Sequence, residues 1–166
     1  MSFEITLGNL TLGSQALIQI LTAFTGSLGY AMMFNLRRKF ILAASLGGMV
    51  SWAIYLVSLG LTDDIVLASF IASIAVSLFA ESMARIFRTP ANQFLIIALI
   101  PLIPGASLFY TMSAITRRDM AETAMYGYRT LEIALGIALG ICLVSAFVDM
   151  LRKTISVIKA HRLSRK

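Results

Sequence analysis

Apolar residues recur in five long segments, parted by short polar ones. The segments run from about Ser14 to Phe34, Phe40 to Leu59, Ile65 to Ile86, Pro90 to Ile115 and Tyr128 to Leu151. Each supplies the roughly 20 residues that a helix needs to cross about 30 Å of hydrocarbon. Between them lie "NLRRK", "GLTDD", "FRT" and "TRRDMAETAMYG". The pattern predicts an all-α integral membrane protein with five transmembrane helices. It forms a single transmembrane domain over 1–166, ending in a basic cytoplasmic tail at 152–166.

Within lipid, small and polar residues mark the face a helix turns inward. Span one carries Gln15, Gln19, Thr22, Gly26 and Gly29 on one stripe, and span three carries Ser69, Ser73, Ser77, Glu81 and Arg85. Span two offers Ser45, Gly48, Ser51 and Trp52, and span five aligns Glu132, Gly136 and Gly140. Close packing accounts for the glycines, and buried serines can bond their own preceding carbonyls. Gln15 and Gln19 ask for more, an internal hydrogen-bond network or a wet cavity. Glu81 lies about 7 Å from the bilayer centre, where a carboxylate needs a partner. Arg85, one turn later, is the candidate for a plain ion pair; the functional alternative makes Glu81 a proton- or substrate-coupling carboxylate. Glu132 and Asp149 read as interfacial.

The fourth span is the anomaly. "RTPAN" places Thr89 at a helix N-cap and Pro90 at the first helical position, with the polar Asn92 following. Then "PLIPG" puts Pro101, Pro104 and Gly105 in the middle of the span. Neither proline has an N–H, so the carbonyls of Ile97 and Ile100 are expected to lose their helical partners. Gly105 adds dihedrals that other residues avoid. Two half-helices of about 16 Å result. The second starts near mid-membrane with free N–H groups and a positive dipole end, which suits a carboxylate. Ser107, Tyr110 and Thr111 share one face of it, able to bond a small polar solute. The plainer alternative is a proline kink repaired by neighbouring helices.

Composition agrees: 58% of residues are hydrophobic and 13% charged, about half the charged share of a soluble domain. The net charge of +6 sits in short clusters beside apolar runs, which reads as membrane topology, with no nucleic-acid partner implied. Arg37, Arg38 and Lys39, then Arg85 and Arg88, then Arg152, Lys153, Lys159, Arg162, Arg165 and Lys166 fall on one side of a five-span chain. Glu4, Asp63, Asp64 and a mixed region of Arg117, Arg118, Asp119, Glu122 and Arg129 fall on the other. Positive-inside then puts the N-terminus outside and the tail in the cytoplasm. No basic residue precedes the first apolar run, so a cleaved signal peptide is not expected. With one cysteine, Cys142, and one histidine, His161, no disulfide, metal site or cofactor is expected. No catalytic dyad stands within the spans, which argues against an enzyme.

Three segments carry a family resemblance: "GSLGYAMMFNLRRK" (Gly26 to Lys39), "ARIFRTPANQFL" (Ala84 to Leu95) and "IPLIPGASLFYTM" (Ile100 to Met112). In order and spacing the chain resembles the threonine/serine exporter family. It is most similar to the short form, which corresponds to the C-terminal five-span half of the full-length exporters. The resemblance implies ion-driven export of threonine, serine or related small carboxylates across the inner (plasma) membrane, and Glu81 points to protons as the coupling ion. Small dicarboxylates are the alternative substrates. It also implies a second membrane subunit carrying the other half, or else a homo-oligomer. Two five-span halves of opposite orientation could then form an inverted repeat around a central site. The competing role is a non-transporting scaffold or assembly subunit that only packs against a chemistry-bearing partner.

Overall fold

The computed structural model describes residues 14–163, with side chains described over 15–154. Glu4 and the side chains of Lys159, Arg162, Arg165 and Lys166, used above to orient the chain, lie outside the described residues, as does the side chain of His161. The rest is helical: α1 (Ser14–Met33), α2 (Arg38–Thr62), α3 (Ile65–Phe87), α4 (Asn92–Leu99), a 3-10 turn (Ile100–Leu102), α5 (Gly105–Thr116) and α6 (Met120–Leu163). Helices α1, α2, α3 and α6 are long and apolar enough to cross a membrane, and α4 with α5 makes a bent pair that meets the same test together.

Each junction has a local cause. Asp63 takes a left-handed conformation (φ 51) and closes α2. Asp64 then caps α3, its carboxylate accepting from the N–H groups of Val66 and Leu67. The predicted acidic pair therefore serves as a stop and a start. Asn35 and Arg88 turn the chain with φ 52 each, after α1 and α3. Asp119 caps α6 through the N–H groups of Ala121 and Glu122. This cap corrects the expected long loop: most of "TRRDMAETAMYG" is helix, and only residues 117–119 connect α5 to α6.

The start of α4 also departs from expectation. Its first helical residue is Asn92, preceded by Ala91 with no side-chain cap. The Thr89 hydroxyl is buried without a hydrogen-bond partner, so it caps nothing. Its N–H instead reaches back to the carbonyl of Ala84, finishing α3.

Helices α2 and α3 form the centre; α1 packs on α2, α6 on α3, and α5 on α6, while α4 lies across α2 and α3. The core is made of small residues, as expected where packing rather than hydrophobicity holds helices together. Ala44, Ala68, Ala72, Ala80 and Ala98 are buried, with Ser45, Ser51, Ser69, Ser73 and Ser77 beside them. Those serine hydroxyls donate to carbonyls of their own helices. Gly136 and Gly140 lie against the backbone of α3, where an added Cβ would meet the carbonyl oxygens of Val66 and Phe70 at 2.9 Å. Three rings, Phe40, Phe87 and Phe94, lock the ends of α2, α3 and α4 with centroids 5.2–5.8 Å apart.

Helix α1 contradicts the expected orientation of its stripe. The buried side carries Ser27 and Ala31, and Gln15, Thr22, Gly26 and Gly29 are exposed, with Gln19 half-buried. Among the described residues, no polar interior forms around Gln15 and Gln19.

Candidate functional site

The break between α4 and α5 follows from the two prolines. Helix α4 ends at Leu99, and the chain bends by 58° before α5 starts at Gly105. The carbonyls of Ile97 and Ile100 are not orphaned as expected. The chain tightens to i→i+3 bonding, and they accept from the N–H groups of Ile100 and Ile103. Pro104, at φ −75 and ψ 57, then forms an inverse γ-turn in which Gly105 donates to the carbonyl of Ile103 at 2.7 Å. Gly105 does not have the positive φ its identity suggested, for no described glycine does. Its value is space, since a Cβ there would meet nothing within 4 Å.

One side of the break is sealed. Gly48 of α2 lies against Ser27 of α1, and a Cβ on it would come within 3.5 Å of Pro101. Leu102 is buried against Val76 and Ala98, with Trp52 packed beside them. Two donors are buried there without partners, the Ser27 hydroxyl and the Trp52 indole N–H. The sequence reading missed Ser27, which lies one position off the "G-x-x-G" stripe that drew attention. The other side is open: Ile103, Gly105 and Ala106 are exposed.

Along α5, the three face residues have different fates. The Thr111 hydroxyl donates to the carbonyl of Ser107, and its methyl faces Gly127. Tyr110 leans on Tyr126 of α6 with centroids 5.2 Å apart. Ser107 is half-buried, and its hydroxyl makes no hydrogen bond among the described residues. Helix α5 makes extended contact with α6 alone, which leaves Leu108, Phe109 and Met112 exposed.

A second group of candidates meets where α3 ends and α4 begins. Glu81, Arg85 and Asn92 line one cavity of about 350 Å³ together with Thr89 and Arg152. The ion pair there is not the predicted one. Glu81 accepts from Arg152 of α6 at 2.8 Å, and Arg85 is exposed. A partner 71 residues away was hidden in what read as a topology signal. Because the pair is part-exposed, its worth to stability is about 1 kcal/mol or less. A larger cavity of about 590 Å³ adjoins it across Thr89, Pro90 and Asn92 and is lined by Arg37 and Arg88. The three basic clusters thus gather at one end of the bundle. Asp63, Asp64 and the Arg117–Glu122 pair lie at the other ends of the same helices.

Packed apolar helices with a small-residue core, among them a pair bent at two prolines, are those of a multi-pass membrane protein. The sequence matches the threonine/serine exporter family, ThrE, over residues 19–147, and the chain belongs to that family. No solved structure matches this chain. Members of this family are transporters rather than enzymes.

Proposed function

We propose that the chain is one subunit of a proton-coupled exporter of threonine, serine or a related small carboxylate, with its substrate site at the α4–α5 break. In this reading the bent pair is a single crossing and the basic end of the bundle faces the cytoplasm. The N-terminus is then outside, and the membrane is the inner (plasma) membrane. The course of α6 supports one crossing: Arg152 lines the same cavity as Asn92, and Met120 lies roughly 48 Å back along the helix. In this reading the α4–α5 pair carries the chain from one end to the other.

The carrying observation is that, among the described residues, the break is walled on one side. Ser27, Gly48 and Trp52 back it, while Gly105 opens onto empty space and α5 is covered by α6 alone. Such a half-site calls for an opposing wall, and the outward Gln15, Gln19, Gly26 and Gly29 stripe gives a second helix somewhere to pack. A second membrane subunit of complementary orientation supplies both in this reading. The solute carboxylate would meet the N-terminus of α5 at Gly105, with Ser107 beside it.

Threonine efflux from cells expressing the chain alone, and with its candidate partner, tests the proposal. Efflux is expected only from the pair. Loss of efflux on changing Pro104 or Gly105, with the pair still co-purifying, supports the site; retained efflux makes this chain a scaffold. Glu81 is assigned the coupling step because, among the described residues, it is the carboxylate that lines these two cavities at the basic end. Glu81→Gln is expected to flatten the pH dependence of efflux and to shift stability by about 1 kcal/mol or less. An unchanged pH profile would remove Glu81 from the coupling.

A further inference from the structure

The larger cavity at the basic end is unlike its neighbour in charge. Arg37 and Arg88 line it with Asn35, Asn92 and Gln93, and no acidic residue does. Neither arginine has an acidic partner among the described residues. Across Thr89 the smaller cavity contains Glu81, already paired with Arg152. The larger one therefore presents cationic and amide donors with nothing to neutralise them.

Its frame is well fixed. Asn35 and Arg88 hold the two turns in left-handed geometry, tied back by bonds from Leu36 to Ala31 and from Thr89 to Ala84, each 3.1 Å. The rings of Phe40, Phe87 and Phe94 pack beneath them. The Thr89 hydroxyl, buried and unpartnered, belongs to the same wall. Two guanidinium groups on so rigid a base suit a tetrahedral oxyanion, whose oxygens accept paired N–H donors.

The apolar border says which anion. Phe34 and Ile96 line the same cavity and are 56% and 50% exposed, which leaves both free to meet acyl chains at a membrane boundary. A free anion would use the arginines and leave this border idle. A molecule with an anionic head and apolar chains uses both. Basic pockets between helices at the cytoplasmic interface are suited to such headgroups.

We propose that this cavity binds the phosphate of an anionic phospholipid through Arg37 and Arg88, with the acyl chains lying along Phe34 and Ile96. The site is separate from the α4–α5 break and requires only that the bundle be embedded in a membrane.

Purified protein in neutral detergent would be titrated with phosphatidylglycerol, phosphatidylcholine, glycerophosphoglycerol and inorganic phosphate, following thermal unfolding. Phosphatidylglycerol is expected to raise the midpoint in a saturable manner, while phosphatidylcholine and the two soluble phosphates are not. Arg37→Gln with Arg88→Gln should weaken phosphatidylglycerol about tenfold. Arg38→Gln with Lys39→Gln removes the same two charges beside the cavity without lining it, and should leave affinity within about twofold. An equal effect of Arg38→Gln with Lys39→Gln would reduce the site to general surface charge and overturn the proposal. Equal stabilisation by inorganic phosphate or glycerophosphoglycerol would make it a free-anion site and overturn the lipid assignment. Should the double variant not fold, Arg88→Gln alone carries the comparison, and the ligand series on the unaltered chain needs no variant.

Discussion

Gly140→Leu is expected to leave no monodisperse protein after detergent extraction, whereas Gly26→Leu should be recovered at near wild-type yield. Both glycines belong to small-residue stripes and look alike in sequence. At Gly140 an added Cβ meets the Ser73 hydroxyl and the carbonyl oxygen of Phe70, the latter at 2.9 Å. The serine could turn away, but the backbone carbonyl can move only if α3 and α6 separate. Overpacking usually costs about 1–3 kcal/mol, more where backbone must shift, against a typical total stability of about 5–15 kcal/mol. The loss falls on the most extensive helix pair in the structure, which also holds the Glu81–Arg152 bond. At Gly26 a Cβ meets nothing within 4 Å, so the chain itself should not register the change. Fluorescence-detected size-exclusion of the two variants and of Gly140→Ala, expected between them, checks the contrast. Recovery of Gly140→Leu at wild-type yield would contradict the α3–α6 packing. Under the proposed function Gly26→Leu still loses efflux, because its stripe is where a second subunit packs.

The difference between those glycines shows what the sequence could reveal. Helices, their apolar character and the break at "PLIPG" were legible because they depend on local chemistry: run length, missing N–H groups and small residues at helical spacing. The direction each stripe faces was not, because it depends on which helix arrives beside it. Ser69, Ser73 and Ser77 face inward because α3 is central, and Gln15 and Gln19 do not because α1 is at the edge. Glu81 shows the same limit. Local reasoning favours Arg85 at i+4, but glycine-mediated contact between α3 and α6 brings Arg152 within 2.8 Å. At the prolines, counting lost donors predicted two orphan carbonyls, and a small tightening of the backbone recovered both. Helix α6 started early because Asp119 caps it, a signal present in the sequence but outweighed by the hydropathy boundary near Tyr128.

Replacing both prolines of the break with alanine should straighten the α4–α5 pair and reduce efflux by about tenfold or more, roughly 1.4 kcal/mol per factor of ten. Each exchange restores an N–H and favours continuous helix by roughly 3 kcal/mol. The new donors at 101 and 104 would claim the carbonyls of Ile97 and Ile100, displacing the i→i+3 bonds that now hold the turn. The 58° bend should then relax. Spin labels at Gln93 and Met112, both exposed, would move apart by about 3 Å, once the exposed Cys142 is replaced. Gly105→Ala is the companion variant. Its Cβ meets open space in this chain, so the bend should survive, and any loss of efflux must come from material placed in the opening itself. Straightening with efflux intact would reduce the break to a packing device. Straightening with efflux lost, together with a bent but inactive Gly105→Ala, would assign substrate to the half-walled space in front of Gly105.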